Sequence, residues 1–178
     1  MKIGKQSGFT LVEVIVVAGI IAILAGILVP LILKEIDEAR ITRAYADIRS
    51  ISTAIIVLKK DTGKWPNLDD SCAPAVTMVV GDGSVPGNAA AFNYNVTAPN
   101  NFVNYFLADD SGCYGSSWKG PYMANVSADP WGNSYLLNTA GFASTNPVWL
   151  ISAGPNGVFE TDAWSSAISG DDVGMKIK

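Results

Sequence analysis

Gly8-Phe9-Thr10-Leu11-Val12-Glu13, followed by the uncharged run Val14 to Leu33, decides how the rest of the chain is read. The run holds twenty residues; as a helix rising ~1.5 Å per residue it reaches across a hydrocarbon core of ~30 Å. Glu13 stands at its head as a lone carboxylate. Such a group costs roughly 2.5–3.5 kcal/mol if it reaches the bilayer centre unpaired, and no fold gains by that placement, so Glu13 calls for a partner from outside this chain. Pro30, with Gly19 and Gly26, is tolerated in a membrane helix and there kinks or thins it.

The flanks orient the run. Lys2 and Lys5 precede it, while the acidic mixture Lys34-Glu35-Ile36-Asp37-Glu38 follows, which favours an inside amino terminus. A secretory signal is a poor match, because the apolar run is too long and no A-x-A-like site follows it. From Lys34 to Lys60, apolar residues recur at Ile41, Ala44, Tyr45, Ile48, Ile51, Ile55 and Leu58 with helical spacing. Arg40, Arg43, Asp47, Arg49 and Lys59 fall largely off that stripe. Lys59 and Lys60 suit the last turn of a helix, Gly63 suits its cap and Pro66 blocks continuation. The apolar and amphipathic halves therefore read as one long helix ending near residue 62. Charge divides along the chain: residues 1–65 carry nine Lys/Arg against six Asp/Glu, and residues 66–178 carry three against ten. An acidic globular end does not suit nucleic acid, which is bound by clustered Lys and Arg.

A basic leader ending in Gly8, then Phe-Thr-Leu-Val-Glu, then an apolar helix holding Pro30, resembles the type III signal of the type IV pilin and pseudopilin superfamily. The resemblance implies a leader at 1–8 removed between Gly8 and Phe9 by a prepilin peptidase, and N-methylation of the new Phe9 amine. It implies a transmembrane and assembly half at 9–33 and a periplasmic pilin-like domain at 34–178. It further implies homo-oligomerisation into a helical filament, in which Glu13 neutralises the Phe9 amine of a neighbouring subunit and the helix near Pro30 can unwind. Inner-membrane assembly machinery and minor pseudopilins are the implied partners. A generic single-pass anchor with a glutamate near one interface is the plainer alternative, but it leaves the Gly-Phe junction unexplained. Thr62-Gly63-Lys64-Trp65-Pro66 also resembles the helix exit of pseudopilins.

Residues 67–117 are rich in small and polar residues, with short apolar runs at Val76–Val80 and Phe102–Leu107, and read as a long connection with one short helix or strand pair. They hold the two cysteines of the chain, Cys72 and Cys113. In a periplasmic domain the two are expected to pair; two free thiols or half of a metal site are the alternatives. A Cys/His zinc site is excluded because the chain has no histidine.

Trp118-Lys119-Gly120-Pro121-Tyr122 and Asp129-Pro130-Trp131-Gly132-Asn133-Ser134-Tyr135 resemble two blocks of the major pseudopilins of type II secretion. On the residues themselves they are turn chemistry joined to core aromatics, with strands expected at Tyr135–Leu137 and Val148–Ile151. The expected fold is α+β: a long amino-terminal helix packed on a small antiparallel sheet. Ser152-Ala153-Gly154-Pro155-Asn156-Gly157 resembles the loop in which those pseudopilins bind calcium. That resemblance implies Asn156 and Asp162 as calcium ligands, with Glu160, Asp171 and Asp172 able to add oxygens; a solvated acidic loop is the alternative. Asn156 stands where the family has a carboxylate, and the EF-hand spacing is absent.

Histidine, a G-x-S-x-G elbow, a P-loop and a dinucleotide fingerprint are all missing, which argues against an enzyme. Three functions stay open: a pseudopilus subunit driving protein export, a type IV pilin of a surface filament, and a membrane-anchored calcium-dependent binding module that never polymerises.

Overall fold

The computed structural model describes residues 8–97 and 99–178, so the basic leader with Lys2 and Lys5 lies outside the described residues up to Gly8. One helix, α1, runs Leu11–Thr62 and continues through Pro30. It is long and apolar enough to cross a membrane. The chain divides into two compact units, one ending at Ala39 and the other comprising Arg40–Lys178, and α1 contributes to each.

In the second unit, α1 buries Ala44, Ile48, Ile51, Ile55 and Leu58, one side of the expected stripe. Tyr45 was expected with them and is instead 43% exposed: it sits one step, ~100°, around the helix from Ala44, off the buried face. The helix ends where Gly63 N–H donates to the Lys59 carbonyl at 2.9 Å, as the cap signal requires.

Five short strands follow: β1 (Met78–Val80), β2 (Asn100–Asn101), β3 (Leu136–Asn138), β4 (Trp149–Ser152) and β5 (Val173–Lys176), in the order β2-β1-β3-β4-β5. Three of the pairings are antiparallel, as expected. The edge pair is parallel, with Val79 opposite Asn100 and Val80 opposite Asn101. A parallel neighbour needs a long crossover rather than a hairpin, and the connection from Val80 to Asn100, with its 3-10 turn at Ala89–Phe92, supplies it. The apolar run at 102–107 forms the short helix α2 (Val103–Phe106).

The sheet is buried on both faces. Because side chains alternate along a strand, Val79, Leu137, Leu150 and Val173 pack with the α1 stripe and with Phe102, Tyr105 and Phe106. Met78, Val80, Leu136, Trp149 and Ile151 point the other way, into Tyr94, Phe159 and Ala163. The second cover is thus made of loops: the crossover around residues 85–96 and the β4–β5 connection. Tyr135 Oη donates to Asp47 Oδ2 at 3.0 Å, joining the start of β3 to α1.

The cysteines pair. Cys72 and Cys113, with Cα atoms 5.2 Å apart, tie the segment after α1 to the segment after α2. Hydroxyls reinforce the same junction: Tyr105 Oη donates to the Leu68 carbonyl and Tyr114 Oη to the Trp65 carbonyl, each at 2.9 Å.

Candidate functional site

At the head of α1 a capping box forms. Glu13 Oε2 accepts from Thr10 N–H and from Thr10 Oγ1, each at 2.8 Å, while Glu13 N–H donates to Thr10 Oγ1 at 3.3 Å. The motif answers amide donors that an α-helix leaves open at its start. Besides the partner expected from outside the chain, Thr10, three residues back, gives the Glu13 carboxylate two donors within it. The signal was present as Thr-x-x-Glu. Phe9 and Glu13 line one shallow groove with Val14, Val17, Ala18 and Ile21, with Phe9 lying before the first helical residue, Leu11. Every large apolar side chain from Leu11 to Leu33 is exposed.

The carboxyl-terminal region is held by carboxylates. Asp129, 4% exposed, caps its own turn through Oδ1, which accepts from Trp131 N–H and Asn133 N–H; its Oδ2 accepts from Ser152 Oγ at 2.5 Å. The Asp-Pro-Trp-Gly-Asn block and the Ser-x-Gly-x-Asn-Gly loop, read separately in the sequence, are therefore one hydrogen-bonded unit. In the Trp-Lys-Gly-Pro-Tyr block, a Cβ on Gly120 would stand 2.4 Å from the Trp118 ring, so any larger residue would have to displace that ring.

The two residues expected to ligate calcium use their oxygens separately. Asn156 Oδ1 accepts from Val158 N–H at 2.7 Å, whereas Asp162 accepts from Trp164 N–H at 2.9 Å and from Asn93 Nδ2 at 2.6 Å. The acids that were supplementary are the ones knit together. Asp171 N–H donates to Glu160 Oε2 at 2.9 Å, and Asp172 Oδ2 accepts from Glu160 N–H at 2.9 Å and Thr161 N–H at 2.6 Å. Asp171 Oδ1 and Asp172 Oδ1 are buried with no hydrogen-bond partner. Burial, above all, raises the Asp172 carboxyl above its ordinary value; the amides of Glu160 and Thr161 pull the other way. Gly154, at φ +65°, is closely approached by the Asp171 backbone: a Cβ would fall 2.1 Å from the Asp171 carbonyl oxygen and 3.3 Å from Asp171 Oδ1. Unanswered carboxylate oxygens are the type of donor that a hard, oxygen-seeking cation takes. The unpartnered oxygens belong to Asp171 and Asp172, and Asn156 N–H donates to Asp171 Oδ2 at 3.2 Å. Among the described residues no three acids or cysteines form a ready-made metal cluster.

Two family models match the chain: the prokaryotic N-terminal methylation motif at residues 3–29, and type II secretion system protein G at residues 97–171. The type II secretion system core protein G of Escherichia coli is 30% identical over 158 residues, covering 89% of this chain and 88% of that protein. The chain belongs to the type II secretion system core protein G family. The Vibrio cholerae member is 30% identical over 85% of this chain and 84% of its own length, and the Pseudomonas aeruginosa member 29% identical over 88% and 89%. No solved structure matches significantly. The matched methylation motif contains Gly8, Phe9 and Glu13, and the matched protein G region contains the Asp129–Ser152 unit and the acids through Asp171.

Proposed function

We propose that the chain is the structural subunit of a periplasmic pseudopilus that drives protein export by type II secretion, with no catalysis of its own. In this reading a prepilin peptidase cuts between Gly8 and Phe9 on the cytoplasmic side and the Phe9 amine is methylated. Residues 9–33 hold the subunit in the inner membrane with residues 34–178 in the periplasm. Inner-membrane assembly machinery, with minor pseudopilins, then draws subunits into a helical filament.

The observation that carries this reading is a helix whose apolar residues from Leu11 to Leu33 are all uncovered, headed by a carboxylate four residues after the one that cleavage would make the amino terminus. The capping box keeps Glu13 hydrogen-bonded while the subunit waits. It leaves the negative charge in place, so an ammonium from another subunit gains a strong attraction in an apolar bundle. Glu13→Ala and Glu13→Gln should therefore keep membrane insertion and folding yet lower filament yield at least tenfold, scored by sedimentation and electron microscopy. Wild-type assembly by both variants would sink the intersubunit pairing.

Calcium belongs to the same proposal, held by the Asp171 and Asp172 carboxylates. At ~100-fold excess over its dissociation constant it should add about 2.7 kcal/mol to the folded state, read as a rise in melting temperature of the full chain in detergent. Asp171→Asn and Asp172→Asn should abolish that rise, and Asp162→Asn should keep it. A melting temperature indifferent to chelator removes calcium from the account.

A further inference from the structure

The β4–β5 connection opens on a turn whose chemistry the functions above leave unused. Gly154, Pro155, Asn156 and Gly157 form a β-turn closed by Gly157 N–H, which donates to the Gly154 carbonyl at 3.3 Å, longer than most such bonds. Asn156 is the asparagine of this chain that a glycine follows; every other asparagine precedes a residue that carries a Cβ. It is exposed to water. Its side chain folds back along the chain, where Oδ1 accepts from Val158 N–H at 2.7 Å.

That bond lays the side-chain amide over the Gly157 peptide. It also aims a donor at Oδ1, where negative charge gathers if a nucleophile attacks Cγ. The Gly157 nitrogen is the nearest such group along the chain. No Cβ shields it, φ at Gly157 is +68°, and its long bond to Gly154 is weak enough to give up. Asparagine is chemically labile where these conditions meet. Asn133 offers the instructive contrast, because it precedes the small residue Ser134. There the nitrogen that would attack is fully buried and bonded: Ser134 N–H donates to the Ser84 carbonyl at 2.9 Å. At Asn93 the following nitrogen is likewise held, with Tyr94 buried and its N–H on the Ala89 carbonyl at 3.1 Å. The fold thus closes the alternatives and leaves Asn156 open.

We propose that Asn156 is a site of spontaneous deamidation in the folded chain. The Gly157 nitrogen gives its proton to water and bonds to Asn156 Cγ; the side-chain nitrogen takes up a proton and leaves as ammonia, closing a cyclic imide. Water then opens the ring, at Cγ to leave an aspartyl residue or at the main-chain carbonyl to leave its isoaspartyl isomer. One water is consumed, one ammonia is released and nothing is oxidised. A neutral amide so becomes a carboxylate on a turn whose Asn156 N–H already donates to Asp171 Oδ2 at 3.2 Å, and the acidic loop gains charge as the protein ages. This chemistry needs neither filament nor calcium. It is tested on the full chain in detergent, held below its melting temperature at mildly alkaline pH and mapped over time by tandem mass spectrometry. Residue 156 should gain the mass that separates a carboxyl group from an amide roughly tenfold faster than residue 133, a barrier difference of ~1.4 kcal/mol. The intact chain should acquire a more acidic band on isoelectric focusing. Asn156→Gln, whose longer side chain closes the ring poorly, should lack that band. Conversion at Asn133 as fast as at Asn156 overturns the proposal, as does the same acidic band in Asn156→Gln. So does a folded chain that keeps its Asn156 amide while the urea-unfolded chain loses it.

Discussion

The two halves of α1 carry similar apolar residues and meet opposite surroundings. Ile20 is 55% exposed, while Ile48, on the same helix, is fully buried against the sheet. The amphipathic half alternates apolar with charged positions and finds its cover inside the chain. The first half is apolar all round, which a water-soluble fold cannot cover with one small sheet. Hydrophobicity on one face therefore specifies folding, and hydrophobicity on every face specifies a second solvent or a second subunit.

Paired substitutions break or keep that distinction most sharply. Ile48→Ala empties a closed site and should cost about 2–5 kcal/mol of stability, measured by urea unfolding of the full chain in detergent. Ile20→Ala removes a side chain of the same size from an uncovered face and should leave that unfolding curve in place. If Ile20→Ala destabilises the residue 40–178 unit as much as Ile48→Ala does, the two halves do not divide the work as argued.

A slightly smaller effect is expected where the chain supplies little regular structure. Residues 67–117 contain short strands and single turns, and the Cys72–Cys113 bridge fixes them to each other. Closing that loop should contribute roughly 2–4 kcal/mol, mainly by restricting the unfolded chain. Cys72→Ala with Cys113→Ala, or reduction of the wild type, should lower stability by that amount while the helical signal of α1 persists. An unchanged unfolding midpoint after complete reduction would show that the aromatic tethers at Leu68 and Trp65 suffice.

What was legible in the sequence follows the same division. The long helix, its end at Thr62, strands β3 and β4 and the cysteine pair were readable because each rests on a local or compositional signal: period, cap, turn block, compartment. The segment at 67–117 was not. β1 is buried on both faces, so it shows no alternation, and β2 is only two residues, Asn100 and Asn101, held by a parallel edge pairing that no local pattern encodes. β5 has Gly174 between its two apolar residues, Val173 and Met175, a weak strand signal. At the helix head, the Thr-x-x-Glu spacing of Thr10 and Glu13 is itself a local signal for the capping box, beside the motif that carries Gly8, Phe9 and Glu13. At the carboxyl-terminal loop, resemblance drew attention to Asn156 and Asp162. The acids with unanswered oxygens were Asp171 and Asp172, brought to the loop by the return of the chain into β5, which sequence distance conceals.

Asp172 gives the smallest effect and the finest test of the contrast between a carboxylate that is answered and one that is not. Asp129 has both oxygens hydrogen-bonded, whereas Asp172 has Oδ2 bonded and Oδ1 without a partner. Burial raises the Asp172 carboxyl above the usual aspartate value of 3.8, so the folded state holds its proton more tightly than the unfolded chain. Stability from this group is then fully present below that usual value and is lost as pH rises through the raised folded value. Without calcium, the wild type should accordingly lose stability relative to Asp172→Asn as pH climbs from about 4 toward neutrality. The difference should flatten once the group is fully ionised. A bound cation reverses the preference by favouring the ionised form. Saturating calcium should therefore shrink the pH-dependent gap between wild type and variant, and calcium affinity should rise over the same pH window. Parallel pH–stability curves for wild type and Asp172→Asn, with and without calcium, would mean that Asp172 is answered by water after all and would remove it from both the titration and the cation site.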